Sequence, residues 1–226
     1  MTTTVFRSAQ EINTSMSRVY AHMMMAVLTS FLVSLVVSSS PALMAFFFTG
    51  IMKWITVFLP LVAVIGITIA LNAYPSRAQA IGLLHGFAAI MGLSFSAIFV
   101  VYTSASIFMS FLSAAILFAT LSAYGYFTRR SLDSWHQFLF IGLIAVVIAS
   151  IVNVFLGSSV LTMVVSACAI IVFLGLTAYD TQKIREALQY NGEQSYIAEV
   201  TGALTLYLDF INIFLSLLQL LGGKRE

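Results

Sequence analysis

The sequence is poor in charged residues. Asp, Glu, Lys and Arg make up 8% of the 226 residues, and 61% are hydrophobic. A soluble domain carries about 25% charged residues, so this chain has too few to cover a water-facing surface. Intrinsic disorder is excluded, because disordered chains are polar and highly charged. Ten Lys and Arg against eight Asp and Glu make no basic field for nucleic acid. The composition therefore indicates a polytopic membrane protein.

Cysteine is also nearly absent, and no secretory signal is recognisable. The one cysteine, Cys168, allows no intrachain disulfide. Residues 1–18 are polar, and the apolar run that follows them is as long as a full membrane span rather than a short signal-peptide core. We expect residues 1–18 to form a cytoplasmic N-terminal tail and residues 19–226 to form one transmembrane domain.

Seven long apolar runs follow one another along the chain. A helix needs about 20 mostly apolar residues to cross the bilayer. Backbone groups in lipid must pair within the protein, and runs this long are not barrel strands, so we predict an all-α bundle of seven transmembrane helices. The runs are 19–38, 54–74, 78–102, 107–127, 135–155, 161–180 and 200–221. Residues 41–53 are apolar too and form either an interfacial stretch or an extension of the second span.

The distribution of Lys and Arg predicts that the N-terminus is cytoplasmic. In that orientation the basic residues inside are Arg7, Arg18, Arg77, Arg129, Arg130, Lys183 and Arg185. Those outside are Lys53, Lys224 and Arg225. The last pair is discordant, and a re-entrant last segment would place it inside. The sequence leaves both topologies of that segment open.

Two carboxylates lie within the apolar runs, where a charge costs roughly 2.5–3.5 kcal/mol and is functional by default. Asp209 lies well inside the last run, and Asp180 ends the sixth. Asp180 could simply pair with Lys183 or Arg185. If the two carboxylates meet, they cannot both ionise cheaply, so they would share a proton and respond to pH. When ionised they could bind calcium in transit, although two carboxylates are too few for a tight site.

Small and polar residues recur every three or four positions along the last run, on one helical face. This polar stripe consists of Gly202, Thr205, Asp209, Asn212, Ser216 and Gln219. It predicts either interhelical hydrogen bonding or a functional path that includes the aspartate. In the third run, Gly82 and Gly86 form a small-xxx-small motif that predicts close helix packing. His85 within it is either a hydrogen-bonded core histidine or a proton-linked group.

The segments AYDTQKI at 178–184 and LYLDFIN at 206–212 resemble the Bax inhibitor-1 family, also called the transmembrane Bax inhibitor motif family. The size and the seven runs match across nearly the whole chain. The resemblance implies a bacterial inner-membrane protein whose last helix is central and surrounded by the other six. It implies a pH-sensitive calcium leak gated by Asp180 and Asp209, with Arg77 as a counter-ion and no cofactor.

Other functions remain open as alternatives. Some bacterial relatives modulate a membrane-bound ATP-dependent protease, and the polar N-terminal tail could be the segment such a partner grips. An enzyme is disfavoured. A presenilin-type protease needs Gly-x-Gly-Asp where this chain has LYLD at 206–209, and a rhomboid-type protease needs a Gly-x-Ser-Gly turn that the sequence lacks.

Overall fold

The structure is a computed structural model that describes residues 7–190 and 195–225. Within these residues it contains eight helices and no strand. The helices are α1 (Ala9–Ser38), α2 (Pro41–Phe48), α3 (Gly50–Asn72), α4 (Arg77–Val101), α5 (Ser104–Phe127), α6 (Asp133–Leu156), α7 (Ser159–Tyr190) and α8 (Ser195–Leu221). All except α2 are long and apolar enough to cross a membrane, which confirms the seven predicted spans.

The first helix begins ten residues earlier than predicted. The Ser8 side chain accepts a hydrogen bond from the Glu11 backbone N–H at 3.3 Å, and the Glu11 carboxylate accepts one from the Ser8 N–H at 2.7 Å. This reciprocal capping box starts a helix at Ala9. Residues 9–18 are therefore helical, and their cytoplasmic location stays a prediction. Residues 1–6 lie outside the described part.

The apolar stretch before the second span divides into two helical pieces. Pro41 starts α2 behind the Ser40 cap, and α2 has no buried residue. The helix is interrupted at Thr49, and Gly50 has a φ of +55°, a conformation that glycine adopts without strain. The stretch is thus partly a separate short helix and partly the first turn of α3.

The sixth span continues well beyond its predicted end. Helix α7 extends ten residues past Asp180 to Tyr190, so Asp180 lies within a helix rather than at its terminus. Helix α8 starts at Ser195, which places Asp209 near its middle, about 21 Å from its first residue. The predicted turn at 190–192 lies largely outside the described residues.

The chain divides into two compact units. The first contains α1 to α4 and α8 up to Tyr207, and the second contains α5, α6, α7 up to Glu186 and α8 from Leu208. Helix α8 is the most buried of the seven spans. In its 18-residue apolar stretch 61% is buried inside the protein, whereas in that of α6 only 6% is buried. This burial is what a last helix enclosed by protein requires.

The glycines that allow close helix approach are not the ones predicted. A Cβ added at Gly92 would meet the backbone of Ser30 in α1, and one added at Gly125 would meet the backbone of Ala178 in α7. At Gly82 and Gly86 an added Cβ would meet no described atom within 4 Å. The packing role predicted for Gly82 and Gly86 is therefore wrong within the described chain, because their face of α4 is exposed.

Candidate functional site

The candidate site is a pair of carboxyl groups in the second unit. Asp180 extends from α7 and Asp209 from α8, and the two carboxyl groups lie close enough to interact with each other. Asp209 is 3% exposed and Asp180 is half-buried. An ionised carboxylate has no proton to donate, so the two groups can hydrogen bond to each other only when one of them is protonated. The sequence anticipated that the two carboxyl groups meet, and their role as site residues stays a prediction.

Asp209 has spare hydrogen-bonding capacity. Its Oδ2 atom is buried and accepts no hydrogen bond from any described residue. A buried acceptor without a partner is costly, by about 1–3 kcal/mol or more for a charged group. The pair therefore has an oxygen available for a further proton or a cation.

The basic residues that follow Asp180 are occupied elsewhere. The Lys183 ammonium lies 2.6 Å from the Asp133 carboxylate and 2.7 Å from that of Glu186. Arg185 donates to the backbone carbonyl of Tyr126 at 2.8 Å, and its guanidinium lies over the Tyr126 ring. The alternative in which Asp180 pairs with Lys183 or Arg185 is therefore wrong.

The α7 segment after Asp180 is fixed to its neighbours by polar contacts. The hydroxyls of Thr181 and Ser122 lie 3.0 Å apart. The Gln182 side chain accepts from the Leu132 N–H at 2.9 Å and donates to the Arg130 carbonyl at 3.0 Å. Gly125 of α5 also lies against Ala178, two residues before Asp180. Together these contacts hold the Asp180 backbone against α5 and the start of α6. The amide of Gln182 was not singled out in the sequence, although a glutamine in a membrane helix is a signal for such a bond.

Aromatic rings pack next to the pair. Phe210, which directly follows Asp209, makes edge-to-face contacts with Phe111 and Phe118 at centroid distances of 5.3 and 5.7 Å. Such contacts place apolar rings between α5 and α8. In a water-poor environment the repulsion between two carboxylates is much stronger than in solvent.

The polar stripe of α8 makes few bonds between helices. Thr205 donates to the carbonyl of Thr201, and Asn212 donates to that of Leu208, both within α8. Gln219 does bond another helix, accepting from Ser166 of α7 at 2.9 Å. Ser216 is buried, whereas Gln219 is exposed. Hydrogen bonds between helices therefore explain only part of the polar stripe.

Two other predicted residues lie in the first unit. The Nδ1 atom of His85 lies 2.8 Å from the Thr29 hydroxyl, which also donates to the Met25 carbonyl of its own helix. His85 is hydrogen bonded and half-buried, which agrees with the simpler alternative in the hydrogen bond, and a proton-linked role stays a prediction. Arg77 is exposed at the start of α4, and its role as a counter-ion stays a prediction.

The geometry limits what metal the pair could hold. Calcium takes six to eight oxygen ligands, and two carboxylates offer at most four. Among residues 7–190 and 195–225, no group of three His, Cys, Asp or Glu side chains converges as a metal site. The pair suits transient contact with a cation in passage.

Comparison with known proteins covers nearly the whole chain. The family model described as "Inhibitor of apoptosis-promoting Bax1" matches residues 12–226. The inner membrane protein YbhL of Escherichia coli K12 is 38% identical over 222 residues, covering 95% of this chain and 93% of that protein. A Borreliella burgdorferi protein is 36% identical over 219 residues, covering 95% and 94%. The Lactococcus lactis protein YrjE is 33% identical over 228 residues, with the same coverage.

Proposed function

Because the chain belongs to the Bax inhibitor-1 family of membrane proteins, we propose that it is a pH-sensitive cation leak in a bacterial inner membrane. Calcium is the proposed permeant ion, and the Asp180–Asp209 pair is the proposed gate. The name of the Escherichia coli relative supports the inner-membrane location. The observation that carries the proposal is the meeting of the two carboxyl groups beside a buried Asp209 oxygen that has no described partner.

The energetics of the pair suit a gate. When both groups are ionised, two negative charges face each other. Unit charges at a separation of about 4 Å repel by on the order of 4 kcal/mol at an effective dielectric constant of about 20. Lys183 and Arg185 cannot relieve this repulsion while they bind Asp133, Glu186 and Tyr126. The relief must come from a cation or from separation of α7 and α8. A bundle whose two states differ by a few kcal/mol responds to a term of this size.

The test is calcium flux into proteoliposomes as a function of pH. Asp209→Asn keeps the shape and a hydrogen-bonding group but removes the charge, so it should flatten the pH dependence of flux. Asp180→Asn should do much the same. The control is Glu11→Gln, which removes an exposed carboxylate of the first unit and leaves the ion pairs of Lys183 intact. Its pH profile should follow that of the wild type.

An unchanged pH profile in both pair variants would contradict the proposal. The pair would then be structural, and modulation of a membrane-bound protease would become the better hypothesis. Reconstituting the protease with wild-type and variant protein would test that hypothesis directly.

A further inference from the structure

The first unit has a large open groove between α3 and α4. Its volume is about 830 Å³, and no charged residue is among those that line it. The α3 wall consists mainly of small side chains, and so does the middle of the α4 wall. The small lining residues are Ala63, Gly66, Ala70, Ala73, Gly82 and Gly86.

The glycines keep this groove open. A Cβ added at Gly66, Gly82 or Gly86 would meet no described atom within 4 Å. These glycines therefore do not bring two described helices together, as Gly92 and Gly125 do. Their effect is to leave open space in the groove between α3 and α4.

The groove is apolar along its length and polar at one end. Gln79 and Pro75 line it where α4 begins, and Arg77 lies between them in the sequence. Arg77 is exposed. The Glu199 carboxylate of the same unit is bound to Arg18 at 3.0 Å, and within the described part of the first unit Arg77 forms no ion pair. A guest with an apolar body and an anionic end would complement both features.

We propose that the groove binds an anionic phospholipid, with one acyl chain between α3 and α4 and its phosphate at Arg77. Hydrocarbon is what surrounds this face in a bilayer, and a polar guest in the apolar part would be left without partners. An Arg near the membrane surface attracts anionic headgroups. The charge at the groove end selects the lipid class, whereas the glycines admit the chain.

Native mass spectrometry of the purified protein tests this proposal. The protein is delipidated in mild detergent and titrated with phosphatidylglycerol or with phosphatidylcholine of the same acyl chains. The wild type should retain phosphatidylglycerol about fivefold better, which corresponds to the roughly 1 kcal/mol expected of one Arg near the surface. Gly82→Leu should reduce retention of both lipids, and Arg77→Gln should remove the preference while keeping chain binding.

Two control variants separate the groove from general lipid contact. Ala119→Leu enlarges an exposed side chain on α5, and Arg129→Gln removes an exposed cation elsewhere. Neither should change retention or preference. Gly86→Leu is a second groove-filling variant in case Gly82→Leu folds poorly.

Three results would overturn the proposal. The first is equal retention of the two lipids by the wild type. The second is full retention in both groove-filling variants. The third is a wild-type dimer that Gly82→Leu converts to a monomer while lipid retention stays unchanged. The groove would then bind a helix of a second copy, and small residues favour such helix packing.

Discussion

Gly125 offers the sharpest test of how the second unit is packed. A Cβ at this position would overlap the carbonyl group and Cα of Ala178, and backbone atoms cannot turn aside as a flexible side chain can. Overpacking typically costs about 1–3 kcal/mol, and a contact with backbone lies at the upper end. Replacing a helical glycine returns about 1 kcal/mol, so Gly125→Ala should destabilise by about 2 kcal/mol.

The matched control is Gly82→Ala on α4. The new Cβ meets nothing described, so only the helix-propensity gain of up to about 1 kcal/mol remains. At about 2–4 °C per kcal/mol for a chain of this size, Gly125→Ala should lower Tm by about 4–8 °C and Gly82→Ala should raise it by up to about 4 °C. Thermal unfolding in one detergent, followed by circular dichroism, measures both.

Equal Tm shifts for the two alanine variants would refute this reasoning. A stable Gly125→Ala would mean that α5 and α7 do not approach as closely as the structure places them. Because Ala178 lies two residues before Asp180, the positioning of the carboxyl pair would then also be in doubt. A destabilised Gly82→Ala would instead restore the close-packing role predicted from the small-xxx-small motif.

Three further predictions concern polar contacts. Arg18→Met should destabilise the protein by about 3–5 kcal/mol, because it leaves the buried Glu199 carboxylate without its partner. Glu199→Gln should cost less, because Arg18 stays partly solvated. Thermal unfolding of the two variants checks this difference. Ser30→Ala should cost about 1–3 kcal/mol by removing the 2.6 Å bond to the fully buried Tyr207 hydroxyl, and combining it with Tyr207→Phe should recover part of the loss. Lys183→Gln should leave the pH profile of calcium flux unchanged, because Lys183 binds other carboxylates than those of the pair; a shifted profile would contradict that.

The spans were predictable because the thickness of the bilayer imposes a length on every apolar run. The helix ends were less so, because amphipathic and polar turns continue a helix outside the hydrocarbon. Ser8 and Glu11 form a visible capping signature that marks the true start of α1. No comparable pattern before residue 190 marks the continuation of α7.

The meeting of the two aspartates was predictable, but the partners of the surrounding residues were not. Lys183 lies three residues after Asp180, on a neighbouring part of the helix surface, and proximity in sequence suggested an ion pair. In three dimensions, Asp133 at the start of α6 binds Lys183 instead. A contact between segments 50 residues apart leaves no local pattern in a single sequence.

The glycines show a second limit. The spacing of Gly82 and Gly86 says that one face of α4 is flat, but it does not say what lies opposite. The close helix contacts are at Gly92 and Gly125, and no sequence motif marks Gly125. Steric fit depends on both partners, and the sequence of one helix supplies only half of it.

The central claim is that Asp180 and Asp209 act as one unit, and a double-mutant cycle on the pH dependence of calcium flux tests it most directly. Flux into proteoliposomes is measured across the same pH range for the wild type, Asp180→Asn, Asp209→Asn and the double variant. If the pair is a single gate, each single variant flattens the profile and the double variant adds little, because the unit is already broken. Additive effects of the two single changes, or a pH dependence that survives in the double variant, would contradict the account.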